Sequence, residues 1–294
     1  MAPRYQLKVF ISRLVKYFLW AIAGLILAVC LVLVFFNWQS GRREVKTLAE
    51  AAPGTGYFVN ANNTQIFVQE AGPVSGQVIL LIHGTGAWSE VWRDTIIPLA
   101  NAKFHVFAMD LPPFGYSERL KGVDSYSREN QAKRIIGILD ALHIKSVILV
   151  GHSVGARPVI EAALEHPEKI QKLILVDPAL GFQSNPNEAA HFVQNSPVWI
   201  VRTLFSIKSL RNAILATYGS NPLFTKKIFS SFVTQKGSVT DERVAMLQRP
   251  LAVANTTDAY GDWLQYLTVS QDSSAATDFA NFKKLIMPVY IVWG

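Results

Sequence analysis

The stretch VILVGHSVGARPVI, residues 147–160, places a serine between two glycines and is the clearest candidate for chemistry in this chain. An apolar, β-branched run precedes Ser153, and a sequence with helical character follows it. Gly151 and Gly155 permit the sharp strand-to-helix turn that exposes a serine hydroxyl as a nucleophile. The same turn places the amide of Val154 at a helix N-terminus, where partial positive charge favours a developing oxyanion.

A serine nucleophile needs a general base, so the histidines of the chain are the next residues of interest. The sequence has six histidines, and none follows His191. We interpret His152, which adjoins the serine, as a residue that packs or bonds locally. Asp110 ends an apolar run, and we expect its side chain to fix the following LPPFGYS loop through bonds to the backbone.

The elements that must position Ser153 follow from hydrophobic periodicity. Apolar runs typical of buried strands alternate with segments of helical periodicity, which predicts βαβ units and a mostly parallel sheet. The predicted strands are 77–84, 105–110, 146–150 and 170–177, and the predicted helices are 89–100, 127–144 and 153–166. Ser89 is a candidate N-cap for the first helix. Residues 57–72 predict a hairpin that turns at Asn62-Asn63.

The strand–helix alternation stops after Asp177 and resumes only near the end of the sequence. Residues 181–281 contain helix-like apolar segments broken by Asn, Pro, Gly and Ser, and LIMPVYIVWG at 285–294 again has a parallel-strand pattern. We therefore predict an α/β core over 57–180, a helical cap inserted over 181–281, and a resumed, incomplete α/β core over 282–294.

Four motifs in this order resemble the α/β-hydrolase fold family, in its cap-bearing branch of esterases, lipases and carbon–carbon bond hydrolases. They are LLIHGTGAWSEVW, VFAMDLPPFGYSE, the GHSVG elbow and LILVDPA. The resemblance implies that Ser153 is the nucleophile and that the backbone amides of Thr85 and Val154 form the oxyanion hole. It implies neither a cofactor nor a metal. Dehalogenases and epoxide hydrolases of the family carry Asp where Ser153 stands, which excludes those two activities.

The family order is nucleophile, then acid, then histidine. The acid normally follows the strand that matches MPVYIVWG, so the acid and the histidine are expected beyond Gly294. Asp177 is a lesser candidate for the acid, because some relatives carry it after the preceding strand. On this interpretation the sequence is truncated, and residues 1–294 alone are predicted to be inactive.

The N-terminal region predicts a membrane anchor. Residues 17–41 carry no charge and have aromatic residues near both ends, as transmembrane helices do. We predict a cytoplasmic segment at 1–16, a transmembrane helix at 17–39 and a stalk at 40–56, with the remaining chain exported. A cleaved signal peptide is the alternative, although its apolar region is normally shorter. A buried core helix is a further alternative, disfavoured by length and position.

Composition limits the remaining function classes. The formal net charge is +7, but no basic run carries interleaved aromatics and no Cys/His spacing suits a metal, so we expect no nucleic-acid partner. The one cysteine, Cys30, excludes a disulfide scaffold. Residues 189–240 of the predicted cap contain basic residues but no Asp or Glu. This composition suits either a surface that faces anionic lipid or an ordinary solvated surface. The basic residues of this stretch are Arg202, Lys208, Arg211, Lys226, Lys227 and Lys236.

These observations predict a membrane-anchored serine hydrolase that cleaves a carboxylic ester or a similar lipophilic acyl substrate. Its partners would be that substrate and the lipid bilayer. Two alternatives stay open. One is a carbon–carbon bond hydrolase of ring-cleavage products, which would use the same nucleophile. The other is an inactive hydrolase-like fold that serves as a binding or scaffold protein.

Overall fold

A seven-stranded sheet forms the centre of the molecule. The computed structural model describes residues 2–180, 203, 205–269 and 279–294, with side chains from residue 10 onward. The strands are β1 (Gly56–Ala61), β2 (Thr64–Ala71), β3 (Val78–Ile82), β4 (His105–Met109), β5 (Val147–His152), β6 (Ile170–Val176) and β7 (Val289–Val292). Their order in the sheet is β1-β2-β4-β3-β5-β6-β7. β2 is antiparallel to β1 and to β4, and the other neighbours are parallel. The predicted mostly parallel sheet is confirmed.

The first two strands form the predicted hairpin. Ala61 pairs with Thr64, and the two residues between them, Asn62 and Asn63, have φ of 49° and 55°. Asparagine tolerates this left-handed conformation better than most residues, and two such residues make the tight turn whose twist suits a hairpin. The short-range sequence signal was therefore sufficient here.

Nine α-helices lie in the described part of the chain. They are α1 (Ala2–Arg43), α2 (Leu48–Ala51), α3 (Arg93–Asn101), α4 (Arg128–Ala141), α5 (Ala156–Glu165), α6 (Lys208–Thr217), α7 (Pro222–Phe232), α8 (Asp241–Gln248) and α9 (Thr256–Val269). Short 3₁₀ turns precede α3 and α5, at Ser89–Trp92 and Ser153–Gly155. Ser127 caps α4 by accepting a hydrogen bond from the Asn130 amide.

The central strands are buried on both faces, as their unbroken apolar sequences predict. Alternate residues of β3 contribute to two separate clusters: Leu80 and Ile82 pack with α4 and α5, whereas Ile79 and Leu81 pack with α3. This double burial holds the carboxyl ends of β3, β4 and β5 at one edge of the sheet. The loops that carry the candidate site leave the sheet at that edge.

Helices α6 to α9 lie between β6 and β7 in the sequence, inside the predicted cap region. Residues 181–202, 204 and 270–278 of that region, including His191 and Arg202, lie outside the described residues. One expectation for this region was wrong. Arg211 does not face outward: it is 1% exposed and pairs with Asp262 at 2.7 Å. Lys208 and Lys226 also have carboxylate partners, in Asp258 and Asp241.

The N-terminal helix is long and apolar enough to cross a membrane. The candidate span is Phe10–Arg43, 34 residues with a mean hydropathy of 2.9, and none of its 18-residue apolar window is buried against the rest of the protein. The following residues do not form the free stalk that their polar composition suggested. The main chain of Lys46 pairs with that of Ala252 and Ala254, and α2 packs against the hydrophobic cluster around Trp88.

Candidate active site

Ser153 occupies a strained turn between β5 and α5. Its φ is +54°, a left-handed value that non-glycine residues rarely adopt, and its side chain is partly exposed. Its carbonyl oxygen accepts a hydrogen bond of 3.1 Å from the amide of Ala179, just after β6. Two neighbouring strand ends thus hold the backbone of the serine in the position that its sequence context predicted.

The two glycines of the elbow are required by close packing. A Cβ at Gly155 would lie 2.3 Å from the carbonyl oxygen of His83, and a Cβ at Gly151 would lie 2.5 Å from Val159 Cγ2 and 2.9 Å from Ala156 Cα. Gly84, in the loop after β3, is equally restricted, because its Cβ would lie 2.8 Å from the Cβ of Ser153. The loop after β3 therefore presses directly against the serine turn.

Thr85 and Val154, the predicted oxyanion donors, line the same cavity as Ser153. Within the described residues, nothing accepts a hydrogen bond from the Thr85 amide. That amide is thus free to donate to a ligand, while the Val154 amide stands in the first turn after the strand. The structure brings these sequence-predicted residues together at one opening.

His83 shapes the loop and is poorly suited to be a base. Its ring is 1% exposed; Nδ1 donates to the carbonyl oxygen of Gly84 at 2.8 Å, and Nε2 accepts from the Leu111 amide at 2.9 Å. These bonds engage both nitrogens and require the neutral ring. Burial lowers the pKa of His83 to about 4, with a smaller contribution of the same sign from His152.

Asp110 ties the loop after β4 to the loop after β3. Its Oδ1 accepts from the Ser89 amide at 2.6 Å and its Oδ2 from the Tyr116 amide at 2.7 Å. Burial raises the pKa of Asp110 to about 6, although these two backbone donors and Arg119 act in the opposite direction. The expected side chain–backbone bonds are present. Ser89, however, does not cap its helix; its amide serves Asp110 instead.

His152 and Asp177 also line the serine cavity. The His152 ring packs edge-on against Trp92, with centroids 6.0 Å apart, which agrees with the expected local packing role. Burial lowers the pKa of His152, and the carboxylate of Asp177 opposes that shift. Asp177 Oδ1 accepts from the Gly294 amide at 2.9 Å. Within the described residues, neither side chain hydrogen-bonds to the Ser153 hydroxyl.

The serine cavity has a volume of about 900 Å³ and is lined by both apolar and charged residues. The apolar residues include Phe229, Phe232 and Leu247 from the helical insertion. The charged ones include members of reciprocal ion pairs between α3 and α8, which we call the charged rim. They are Arg93–Glu242 at 2.7 Å and Arg243–Asp94 at 2.8 Å. Sequence reasoning did not find this charged rim, because each pair joins residues 149 positions apart.

A second, strongly apolar pocket of about 290 Å³ adjoins the serine cavity. Thr85 and the three apolar residues just named line both spaces. Further lining residues come from the loop after β4 and from helices α6 and α9, namely Phe114, Ile214, Leu215, Tyr218, Tyr260, Trp263 and Leu264. The serine cavity therefore borders an aromatic and aliphatic compartment.

The described residues include no cluster of three or more His, Cys, Asp or Glu side chains that could hold a metal ion.

Comparisons with known proteins agree with this geometry. The family described as alpha/beta hydrolase fold matches residues 77–294. A 2-hydroxymuconate semialdehyde hydrolase from Pseudomonas sp. (strain CF600) is 37% identical over 109 residues, covering 36% of this chain and 38% of that protein. The chain spans well under half the length of the first three curated relatives it matches, at 36%, 42% and 38%.

Two solved structures illustrate the similarity of fold. The meta-cleavage product hydrolase from Pseudomonas fluorescens IP01 has a TM-score of 0.60 at 21% identity, over 82% of this chain and 79% of that one. A membrane phospholipase A, described as a bacterial virulence factor, has a TM-score of 0.57 at 23% identity and covers 98% of this chain and 82% of its own.

Proposed function

From the premise that this chain belongs to the α/β-hydrolase fold family, we propose that it is a membrane-anchored serine hydrolase of lipophilic carboxylic esters or similar acyl compounds. One observation carries the proposal. Ser153, on its strained turn, opens into a cavity that continues into an apolar pocket of about 290 Å³. A polar reaction centre beside an apolar compartment suits an acyl group whose carbonyl carbon reacts while its chain is buried.

The proposed reaction is acyl transfer to serine and then to water. Ser153 Oγ attacks the carbonyl carbon, the Oγ–C bond forms, and the bond from carbon to the alcohol oxygen breaks. The alcohol leaves with the proton that the serine gave up, and water then cleaves the acyl-serine ester. The amides of Thr85 and Val154 would stabilise the negative oxygen at each addition step. The histidine and acid of the family order, with Asp177 as the lesser candidate for the acid, stay a prediction.

The substrate is proposed to be an amphiphile. Its acyl chain would occupy the compartment lined by Phe114, Leu215 and Trp263, and its polar part would lie toward the rim formed by Arg93 and Arg243. The similarity to a protein named membrane phospholipase A, which extends over 98% of this chain, supports a membrane lipid as the source of the ester. The long apolar helix α1 supports the same conclusion, because it would place the enzyme at the lipid surface.

We propose that α1 crosses the membrane with the N-terminus in the cytoplasm and the catalytic part outside it. Arg4, Lys8, Arg13 and Lys16 precede the apolar run, whereas the basic residues after it are diluted by Glu44. An excess of Lys and Arg is typical of the cytoplasmic side.

The test is hydrolysis of p-nitrophenyl esters of increasing acyl length by the full-length protein in detergent micelles. We expect kcat/KM to rise about fourfold per added methylene, the value of about 0.8 kcal/mol of buried CH₂, until the pocket is full. Ser153→Ala should lower hydrolysis at least about a thousandfold. Ser231→Ala, at an exposed serine of α7, is the matched control and should behave as wild type. Equal rates for Ser153→Ala and wild type would refute the proposal.

A carbon–carbon bond hydrolase of ring-cleavage products is the second candidate. It is favoured by the name of the 37% identical relative, a 2-hydroxymuconate semialdehyde hydrolase. The anchor favours the ester instead, because a soluble aromatic catabolite needs no membrane tether. An assay with 2-hydroxymuconate semialdehyde, in which turnover is monitored as loss of the substrate's absorbance, distinguishes the two activities. Turnover would favour the carbon–carbon bond hydrolase. Absence of both activities in a protein whose Ser153 is accessible would favour the binding or scaffold alternative.

A further inference from the structure

The residues where α1 ends are buried against the helical insertion. Ser40 is 5% exposed, and the side chain of Glu44 is 7% exposed. The last turns of α1 pack against α6. A carboxylate buried to this extent needs hydrogen-bond donors, since an uncompensated buried charge is strongly destabilising.

Four side chains satisfy one another in a closed ring that we call the anchor ring: Arg43, Glu44, Ser220 and Thr257. The guanidinium of Arg43 donates to Glu44 Oε1 at 3.0 Å and to Ser220 Oγ at 3.4 Å. Ser220 Oγ lies 2.7 Å from Thr257 Oγ1, which in turn donates to Glu44 Oε1. The guanidinium only donates and the carboxylate only accepts, so while Thr257 Oγ1 donates to Glu44, the Ser220 hydroxyl donates either to Thr257 Oγ1 or to the Leu215 carbonyl oxygen at 3.3 Å.

Backbone bonds extend this attachment. The Thr257 amide donates to Glu44 Oε2 at 2.9 Å, and Arg43 Nε donates to the carbonyl oxygen of Leu251 at 3.2 Å. Lys46 donates to the Ala252 carbonyl oxygen at 3.0 Å and accepts from the Ala254 amide at 2.8 Å. Residues 43–46 thus hold the segment 251–257 at several points.

The segments held by the anchor ring are also the wall of the apolar pocket. Leu251 accepts from Arg43 through its carbonyl oxygen, while Leu251 itself lines the pocket. Ser220 donates from its amide to the Leu215 carbonyl oxygen at 2.8 Å, and Leu215 and Gly219 line the pocket too. Leu215 and Leu251 pack in one cluster with Tyr260. Two residues whose carbonyl oxygens bond to ring residues, Leu215 and Leu251, therefore also line the pocket.

We propose that Glu44 is a positioning residue for the acyl pocket, so that the end of the membrane helix sets which acyl chains the enzyme accepts. The inference rests on the proposed function, because it concerns the same apolar pocket. Without the carboxylate, the Thr257 amide and hydroxyl lose their acceptor, and the Arg43 guanidinium keeps only Ser220 Oγ and the Leu251 carbonyl oxygen. The segments that carry Leu215 and Leu251 are then held less firmly. The pocket then fits a long chain less well.

The experiment compares Glu44→Ala, Glu44→Gln and wild type in the full-length protein in lipid nanodiscs. The first readout is the ratio of kcat/KM for p-nitrophenyl decanoate to that for the acetate. We expect this ratio to fall about tenfold in Glu44→Ala, which is the equivalent of about two buried methylenes. The fall should come from a higher KM for the decanoate. Glu44→Gln keeps an oxygen for the Thr257 amide and should restore most of the ratio. The control is Glu50→Gln, because the Glu50 carboxylate accepts hydrogen bonds from Thr47 alone among the described residues.

The second readout is hydrogen exchange at the amides of Ala254 and Thr257, which needs no enzymatic activity. We expect faster exchange at both in Glu44→Ala than in the control. An unchanged acyl-length ratio, or an equal fall for both esters, would overturn the inference. If wild type hydrolyses neither ester, the proposed function fails. Unchanged exchange at these two amides in Glu44→Ala would overturn the positioning role of Glu44, whatever the activity.

Discussion

At the scale of single residues, the site is built from positions that have almost no steric freedom. Ser153 keeps a φ of +54° because the neighbouring glycines let the loop after β3 and the start of α5 approach it closely. Strain of this kind persists only where the surrounding structure enforces it. The residues around the serine are therefore expected to be more sensitive to substitution than its solvent exposure suggests.

The first prediction concerns Gly155→Ala. The added Cβ would lie 2.3 Å from a backbone oxygen of His83, so the loop and the elbow must separate. We expect the unfolding free energy to fall by about 3 kcal/mol or more, within the range of severe packing mutations, and ester hydrolysis to fall with it. Gly237→Ala, where nothing lies within 4 Å of the new Cβ, is the control. Urea unfolding, monitored by tryptophan fluorescence, measures the unfolding free energy of both variants. Equal stability of the two variants would contradict the packing argument.

The second prediction concerns the pH dependence that His83 contributes. Its folded pKa of about 4 lies below the ordinary value of 6.5, so the unfolded chain binds more protons between these values. Stability from His83 is therefore present above pH 6.5 and lost as the pH falls toward 4, by up to about 3 kcal/mol. Asp110, whose pKa is raised to about 6, has the opposite sign and partly masks the effect.

The measurement is the difference in unfolding free energy between wild type and His83→Gln at a series of pH values. This difference should shrink as the pH falls from 6.5 to 4, because only wild type contains the group that titrates. A difference that stays constant across this range would show that the ring is not held neutral.

At the scale of elements, the helices fall into two sets with different roles. The helices that cover the sheet keep the strand ends aligned, whereas α6, α7 and α9 supply the apolar lining beside the serine. Chain-length preference should therefore respond to the insertion and not to the sheet.

The third prediction is that Ile214→Trp shortens the acyl chain that the enzyme accepts. Ile214 of α6 lines the apolar pocket, and the larger ring would occupy space that a long chain needs. Hydrolysis of the decanoate ester should fall at least about tenfold relative to that of the acetate. Ile207→Trp, at a position 48% exposed just before α6, is the control and should leave the ratio unchanged. A ratio that Ile214→Trp leaves unchanged would show that the acyl chain does not bind in this pocket.

The elements also show how far the sequence can lead. Local signals were sufficient for the hairpin at Asn62-Asn63, for the elbow at Ser153 and for the loop-fixing role of Asp110. Contacts between distant positions could not be predicted. Glu44 and Thr257 are 213 positions apart, and Arg211 is buried because Asp262 lies beside it. The polar composition of residues 40–56 is typical of a spacer. A single sequence does not show which distant residues will bond to those polar side chains in the fold.

At the scale of the whole molecule, α1 is both a candidate membrane span and a part of the enzyme body. None of the 18-residue apolar window within Phe10–Arg43 is buried, while the last residues of the helix are fixed to the insertion. If the proposed function holds, attachment to the bilayer and the shape of the apolar pocket involve the same helix.

The fourth prediction tests the anchor. Wild type should remain in the membrane pellet after alkaline carbonate extraction. Leu25→Lys with Val29→Lys should move a large fraction to the supernatant, because each lysine costs about 3 kcal/mol near the centre of a membrane helix. The control carries lysines at Val45 and Val74, which are 67% and 82% exposed and lie outside the apolar run. Retention of the first variant in the pellet would contradict a membrane-spanning role.

The proposed function requires the partly exposed hydroxyl of Ser153 to be reactive, and covalent capture tests that requirement directly. An alkyl fluorophosphonate should form a Ser153 Oγ–phosphorus bond with loss of fluoride in the full-length protein, and mass spectrometry of the peptides should locate one adduct at this serine. Ser153→Ala should carry none, and Ser231→Ala should be labelled as wild type. Equal labelling of Ser153→Ala and wild type, or an adduct on another residue alone, would contradict the central claim.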